Sequence, residues 1–139
     1  MTSWYARRLQ HLRPGRGSQA SSAGAITEAL RHAWEQRDAE QLAAAVTRRA
    51  TLTMDSGGET PGLSGVLSGR AEVGAALLRL TDTYHPASVE PAEVNGGPGI
   101  VLRSGARVVG VIAVAIRGGR VDQLWAVLNP DKLTHWNLC

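Results

Sequence analysis

"RVVGVIAVAIRGGRVDQLWAVL", residues 107–128, decides the fold of this chain. It holds two apolar runs joined by Gly118-Gly119. A two-residue glycine link between such runs marks a hairpin with a primed turn, because its central positions take positive φ. Val, Ile and Trp dominate both runs, and these side chains fit a pleated, half-buried surface. Working outward, "SGA" at 104–106 leads into the first run, and "NGGPG" at 95–99 turns into Ile100 to Arg103. Val89 to Val94 comes before that, with Pro91 marking an edge, since proline has no amide for a sheet ladder. Everything from Ser88 onward therefore reads as a four-strand meander.

Upstream the period changes. Ile26, Ala29, Leu30, Ala33 and Trp34 recur at helical spacing and form one apolar stripe. Asp38 followed by Gln41 reads as a capping box for a short second helix, Ala39 to Thr47. Ala50, Leu52 and Met54 then alternate with Thr51 and Thr53, as in a strand with one buried face. "DSGGETPGLSG" at 55–65 reads as a long loop. Ser68 is the expected cap of a third helix carrying Val73, Leu77, Leu80 and Tyr84 on one face, ended by His85-Pro86. Three helices, one early strand and a meander define an α+β fold: a curved antiparallel sheet packed on three helices around a cone-shaped pocket.

Composition bounds the function. The chain has 139 residues and a single cysteine, Cys139, so an internal disulfide framework and a multi-cysteine metal site are excluded. No apolar run is long enough to span a membrane, and the N-terminus lacks the apolar stretch of a signal peptide, so the expectation is a cytoplasmic protein without membrane contact. Charge is uneven. Arg7, Arg8, Arg13 and Arg16 precede the first acidic residue, Glu28, while the remainder is close to neutral. Residues 1–24, with Trp4 and Tyr5, read as a basic flexible arm that is either a solvated tail or a contact for nucleic acid or an acidic partner. The domain proper is expected over 25–139. Its last segment, 129–139, opens with a helix start: Asn129 as cap, Pro130 at the first helical position and Asp131 in the first turn. Leu133 and Trp136 would share one face of that short helix and dock it as a lid over the pocket.

The order of elements, with "DSGGE" at 55–59, "VNGGPGIVL" at 94–102 and "VDQLWAVLNPDKL" at 121–133, resembles the SnoaL-like branch of the nuclear-transport-factor-2-like superfamily. Within it, the likeness is to the C-terminal SnoaL-like domain of extracytoplasmic-function sigma factors. The loop of those domains reads Asp-Gly-Gly-Gly-Lys; here Ser56 replaces a glycine and Glu59 reverses the charge of the lysine. The two sigma regions that precede the domain have no counterpart in this chain. The resemblance implies a small apolar or polycyclic ligand, a homodimer, and two competing functions. One is a cofactor-independent acid–base enzyme of bacterial secondary metabolism, such as an isomerase, cyclase or dehydratase. The other is a ligand-sensing or regulatory module contacting a sigma factor or RNA polymerase. The sequence reading leans to the enzyme.

The residues themselves carry no metal-ligand cluster, so neither metal nor cofactor is expected. No glycine-rich phosphate loop and no nucleophile elbow around Ser64 is present. General acid–base chemistry remains. Asp55 at the end of the first strand is the leading candidate base, with burial at an apolar mouth expected to raise its pKa; otherwise it is a turn residue. Tyr84 and His85 could donate to an oxyanion or move a proton, and Asp122 is a second candidate carboxylate. Trp34, Met54, Arg103, Trp125 and Asn129 are the expected pocket lining.

Overall fold

The computed structural model describes residues 17–57, 64–85 and 87–137, with side chains from residue 22 onward. The expectations for Trp4, Tyr5, the arm's arginines, Glu59, Pro86 and Cys139 lie outside these residues. Three helices run over α1 (Gly17–Glu35), α2 (Ala39–Ala45) and α3 (Arg70–Thr83). Six strands follow as β1 (Val46–Asp55), β2 (Gly65–Ser68), β3 (Ala87–Val94), β4 (Gly97–Ser104), β5 (Arg107–Arg117) and β6 (Arg120–Val127). They form one curved, unclosed sheet in the order β2-β1-β6-β5-β4-β3.

The α+β expectation holds, and the meander and its Gly118-Gly119 turn are present, both glycines at positive φ (59° and 81°). Pro91 sits on β3, the sheet edge. Three details differ. The sheet is mixed rather than antiparallel throughout, because β1 runs parallel to β6, Leu52 opposite Leu124. Parallel strands cannot be joined by a tight turn, and here the long connection from β1 to β6 carries β2, α3 and the first three strands of the meander. Second, "GVLS" within the expected loop is strand β2, paired to β1 from Met54↔Gly65 to Thr51↔Ser68. Ser68 is thus a strand residue, and Gly69 is the N-cap of α3 with no side-chain cap. Third, α1 begins at Gly17, inside the segment read as an arm.

Alternation divides the sheet side chains between two clusters. Leu52, Met54, Ile100, Leu102, Ile112, Val114 and Leu124 pack on Leu30, Trp34, Leu42, Val73, Leu77 and Leu80 of the helices. Val101, Val111, Ala113, Ala115 and Trp125 make a second cluster with Leu133. Burying each large aliphatic side chain contributes about 1.5–3 kcal/mol, which is why this two-sided pattern dictates the fold. On α1 the stripe is rotated slightly: Ala29 is exposed and Thr27 is buried, its hydroxyl donating to the Ala23 carbonyl at 2.8 Å.

Two ends of the sheet are fixed by register. At the proximal end β1 begins, and the β3–β4 and β5–β6 hairpins turn. At the distal end β1, β4 and β6 finish and β3 and β5 begin. Helix α3 also finishes distally, since only Tyr84, His85 and Pro86 separate it from β3.

Candidate functional site

The distal end collects the chemistry. Helix α1 stops because Arg37 takes positive φ (54°), letting Asp38 N–H reach the Ala33 carbonyl at 3.1 Å and Arg37 N–H reach the Trp34 carbonyl at 3.0 Å. That closure is a Schellman motif, where glycine is usual. Arg37 is held by Asp82 of α3 through two contacts, 2.9 and 3.3 Å. Between these helix ends and the start of β3 lies a cleft of about 370 Å³, lined by Trp34, Glu35, Arg37, Thr81, Asp82, His85, Ala87 and Val89. Trp34 is 1% exposed, and its indole Nε1 is the buried side-chain polar atom among the described residues without a hydrogen-bond partner. An unmet donor of this kind costs about 1–3 kcal/mol.

On the other side of the Tyr84–His85 corner is a smaller cavity of about 250 Å³, bounded by Tyr84, Arg107, Val108, Val109, Leu128, Pro130 and Leu133. Its rim is the segment after β6. Asn129 caps it as expected, accepting from Asp131 N–H at 3.1 Å. The turns that follow are two 3₁₀ turns, Pro130–Lys132 and Thr134–Asn137, in place of an α-helix. The change of pitch separates the expected pair: Leu133 is buried and Trp136 is exposed. Asn137 ties the segment down, its side-chain amide accepting from Val108 N–H at 2.9 Å and donating to the Val108 carbonyl at 3.0 Å.

The two motifs that carried the resemblance meet here. Leu128 N–H donates to the Asp55 carbonyl at 2.7 Å, and Lys132 Nζ donates to the Asp55 carboxylate at 2.6 Å. Gly57, at φ 68°, lies so close to Asn129 that an added Cβ would sit 2.7 Å from its side chain. Asp55 also accepts from Gly57 N–H at 3.0 Å. Its pKa is lowered, by the Lys132 hydrogen bond first and by the Gly57 amide, outweighing partial burial. The expected rise is therefore corrected: an ammonium partner keeps this carboxylate ionised. Ser56, buried, shares a 2.8 Å hydroxyl contact with Ser64.

The other expected residues scatter. Asp122 lies at the proximal end, accepting from the Thr47 hydroxyl at 2.7 Å. Arg103 pairs with Glu90 at 3.1 Å across β3 and β4. Met54 is core, and Trp125 belongs to the second cluster, apart from Trp34 and the helices. Thus Trp34 and His85 line one cavity, Tyr84 and Leu133 the other, and Asp55 and Asn129 the latch beside it. Sequence reasoning missed Lys132, Arg37, Asp82 and Arg107. Lys132 carried a signal, as the chain's one lysine within the "NPDKL" motif. Among the described residues there is no His, Cys, Asp or Glu group that could hold a metal, and no helix long and apolar enough to cross a membrane.

Architecture and motifs define a class: the fold is that of SnoaL-like, nuclear-transport-factor-2-like proteins. The particular likeness includes the extracytoplasmic-function sigma factor SigJ of Mycobacterium tuberculosis, 27% identical over 81% of this chain with a TM-score of 0.65. The match takes in 44% of SigJ, so this chain spans less than half of that protein's length. A SnoaL-like protein of Burkholderia thailandensis is 19% identical, over 76% of this chain and 92% of its own, with a TM-score of 0.57. TerC, co-crystallised with polyporic acid, is 13% identical, over 82% and 96%, with a TM-score of 0.58. No family model matches the sequence, and no curated protein does.

Proposed function

We propose that the protein is a non-catalytic SnoaL-like module that binds a small molecule in the cleft between α1 and α3. The observation that carries this reading is the orphan Trp34 Nε1 on a residue lining a cleft of about 370 Å³. A ligand with a carbonyl or other acceptor would satisfy that donor, and its apolar body would rest on Ala87, Val89 and the indole. Supporting a binder over an acid–base catalyst is the state of the carboxylates. The buried polar residues are Thr27 and Ser56 alone among those described, and Asp55 is occupied by Lys132. A general base needs a pKa near working pH, and Asp55 is shifted the opposite way. Likeness to part of SigJ supports a regulatory use, and TerC with polyporic acid supports small-molecule binding by this fold.

The test is a fluorescence and calorimetric titration with polyporic acid and a flat anthraquinone as probes, on the wild type and on Trp34→Phe. Saturable binding weakened at least tenfold by Trp34→Phe supports the cleft. Binding of equal strength in both proteins rejects it. Turnover of either probe that disappears in Asp55→Asn would restore the enzyme reading.

A further inference from the structure

The proximal end carries five arginines within a few residues of one point on β1. Val46 is opposite Val121, one residue beyond Arg120, and Arg117 is the cross-strand partner of Arg120 in the hairpin. Arg70 Nε donates to the Val46 carbonyl at 3.1 Å, and Arg120 Nε donates to the Ala44 carbonyl at 3.0 Å. Arg48 and Arg49 fall where β1 and β6 lose register between Val46 and Thr51, and both are exposed. At about 3.3 Å per strand residue, Arg48 and Arg49 stand within roughly 10 Å of Val46 along β1.

None of the five has a carboxylate at ion-pair distance among the described residues; Arg79 and Arg107, which stand apart from them, share this, whereas Arg31, Arg37 and Arg103 are paired. Acidic groups are not absent from this end: Glu72 is in the first turn of α3, and Asp122 is nearby, bonded to Thr47. They leave the guanidiniums free. Like charges directly opposite, as Arg117 and Arg120 are, work against the hairpin, so folding alone does not explain the pair. Arg70 and Arg120 are anchored through Nε, which fixes the side chains while leaving their terminal nitrogens for another acceptor. A guanidinium held this way suits bidentate contact with phosphate oxygens.

The N-terminal half of α1 lies against the β3–β4 turn, where Ala23, Gly24 and Thr27 face Gly96 and Gly97. The exposed large hydrophobics among the described residues are Val66, opposite Thr53 on β2, and Trp136 in the distal turns. Among the described residues, no exposed large hydrophobic lies at the proximal end to serve as the apolar anchor that protein interfaces concentrate their energy in.

We propose that this end, with Arg48, Arg49, Arg70, Arg117 and Arg120, is a docking surface for the phosphodiester backbone of a nucleic acid. Contact is to phosphates, so binding is sequence-tolerant and falls steeply with salt, the log–log slope changing by about 0.9 for each phosphate neutralised on duplex DNA.

Fluorescence anisotropy on the full chain with a labelled mixed-sequence duplex, from 50 to 200 mM salt, tests it. Arg48→Gln/Arg49→Gln should weaken binding tenfold or more at low salt and reduce the slope by about two. Arg31→Gln/Arg79→Gln removes the same charge elsewhere and should change affinity less than threefold. Both variants alter exposed or half-exposed helix and strand positions, and circular dichroism verifies that each is folded. Absence of duplex binding by the wild type at 50 mM salt overturns the proposal. So does equal weakening by the two variants, or binding of phosphatidylserine vesicles or polyglutamate in preference to the duplex. Because the duplex and the small-molecule probes are titrated separately, loss of one binding activity leaves the other readable.

Discussion

At the distal end Asp55 meets Lys132 and Arg37 meets Asp82, while at the proximal end Arg48, Arg49, Arg70, Arg117 and Arg120 face no carboxylate at ion-pair distance. The distal end therefore holds ion pairs that cross the chain, beside an unpaired Arg107, and the five proximal arginines hold none. Pairing at the distal end ties together segments far apart in sequence, 77 residues in the case of Asp55 and Lys132. It joins the end of β1 to the turns after β6, and the end of α1 to α3, beside two cavities. At the proximal end Arg70 and Arg120 tie segments together only through Nε, to the Val46 and Ala44 carbonyls, and their charge stays without a carboxylate partner. Structural use of charge consumes its partners, and binding use keeps them free.

The strongest way to break the distal end is steric. Gly57→Ala places a Cβ 2.7 Å from the Asn129 side chain at a residue with φ 68°. The left-handed conformation costs roughly 1–2 kcal/mol for a side chain, and overpacking adds about 1–3 kcal/mol. Urea unfolding should show a loss of about 2–5 kcal/mol in total. In an Asn129→Ala background, itself destabilised by about 1 kcal/mol through loss of the cap, the overpacking part should vanish and the conformational part remain. Identical penalties in both backgrounds would mean that the two motifs are not in contact in solution.

Electrostatic loosening comes next. Lys132 is half exposed, so Lys132→Met should cost about 0.5–1 kcal/mol at pH 7. The sign with pH follows from the lowered pKa of Asp55. The unfolded carboxyl titrates near roughly 3.9, so the contribution is complete above that value and is lost as pH falls through the folded pKa. The difference between wild type and Lys132→Met should be constant from pH 7 to about 5 and shrink as pH falls further, through the folded pKa of Asp55. A gap that widens in acid would contradict an ionised Asp55 in the folded state.

The contrast between the two ends was only partly legible in the sequence. Local chemistry was readable: Gly118-Gly119, the Asp38 and Asn129 caps, and the alternation that buries Leu52 and Met54 depend on neighbours along the chain. Strand β2 was not, because four residues in a glycine- and serine-rich stretch are held by pairing with β1 rather than by their own pattern. The parallel contact between β1 and β6 leaves no mark in either strand. Asp55 was identified as important, yet its pKa direction depended on Lys132 across the fold. Trp136 was misplaced because two 3₁₀ turns do not keep the face that one α-helix would. The five proximal arginines come from four separate segments, and only register brings them together.

The smallest effect separates the ends most directly. Raising salt from about 0.01 to 0.1 M shortens the screening length from roughly 30 to 10 Å. Screening weakens the distal pairs and relieves the proximal repulsion, so the two contributions oppose each other in the wild type. Arg117→Gln removes the repulsion with Arg120, and its stability should fall by a few tenths of a kcal/mol over this range. Lys132→Met removes a distal attraction, and its stability should rise by a similar amount. Matched urea titrations at the two salt concentrations measure both. Slopes of the same sign would mean that the arginines are paired in solution, and the division between a structural and a binding end would fail.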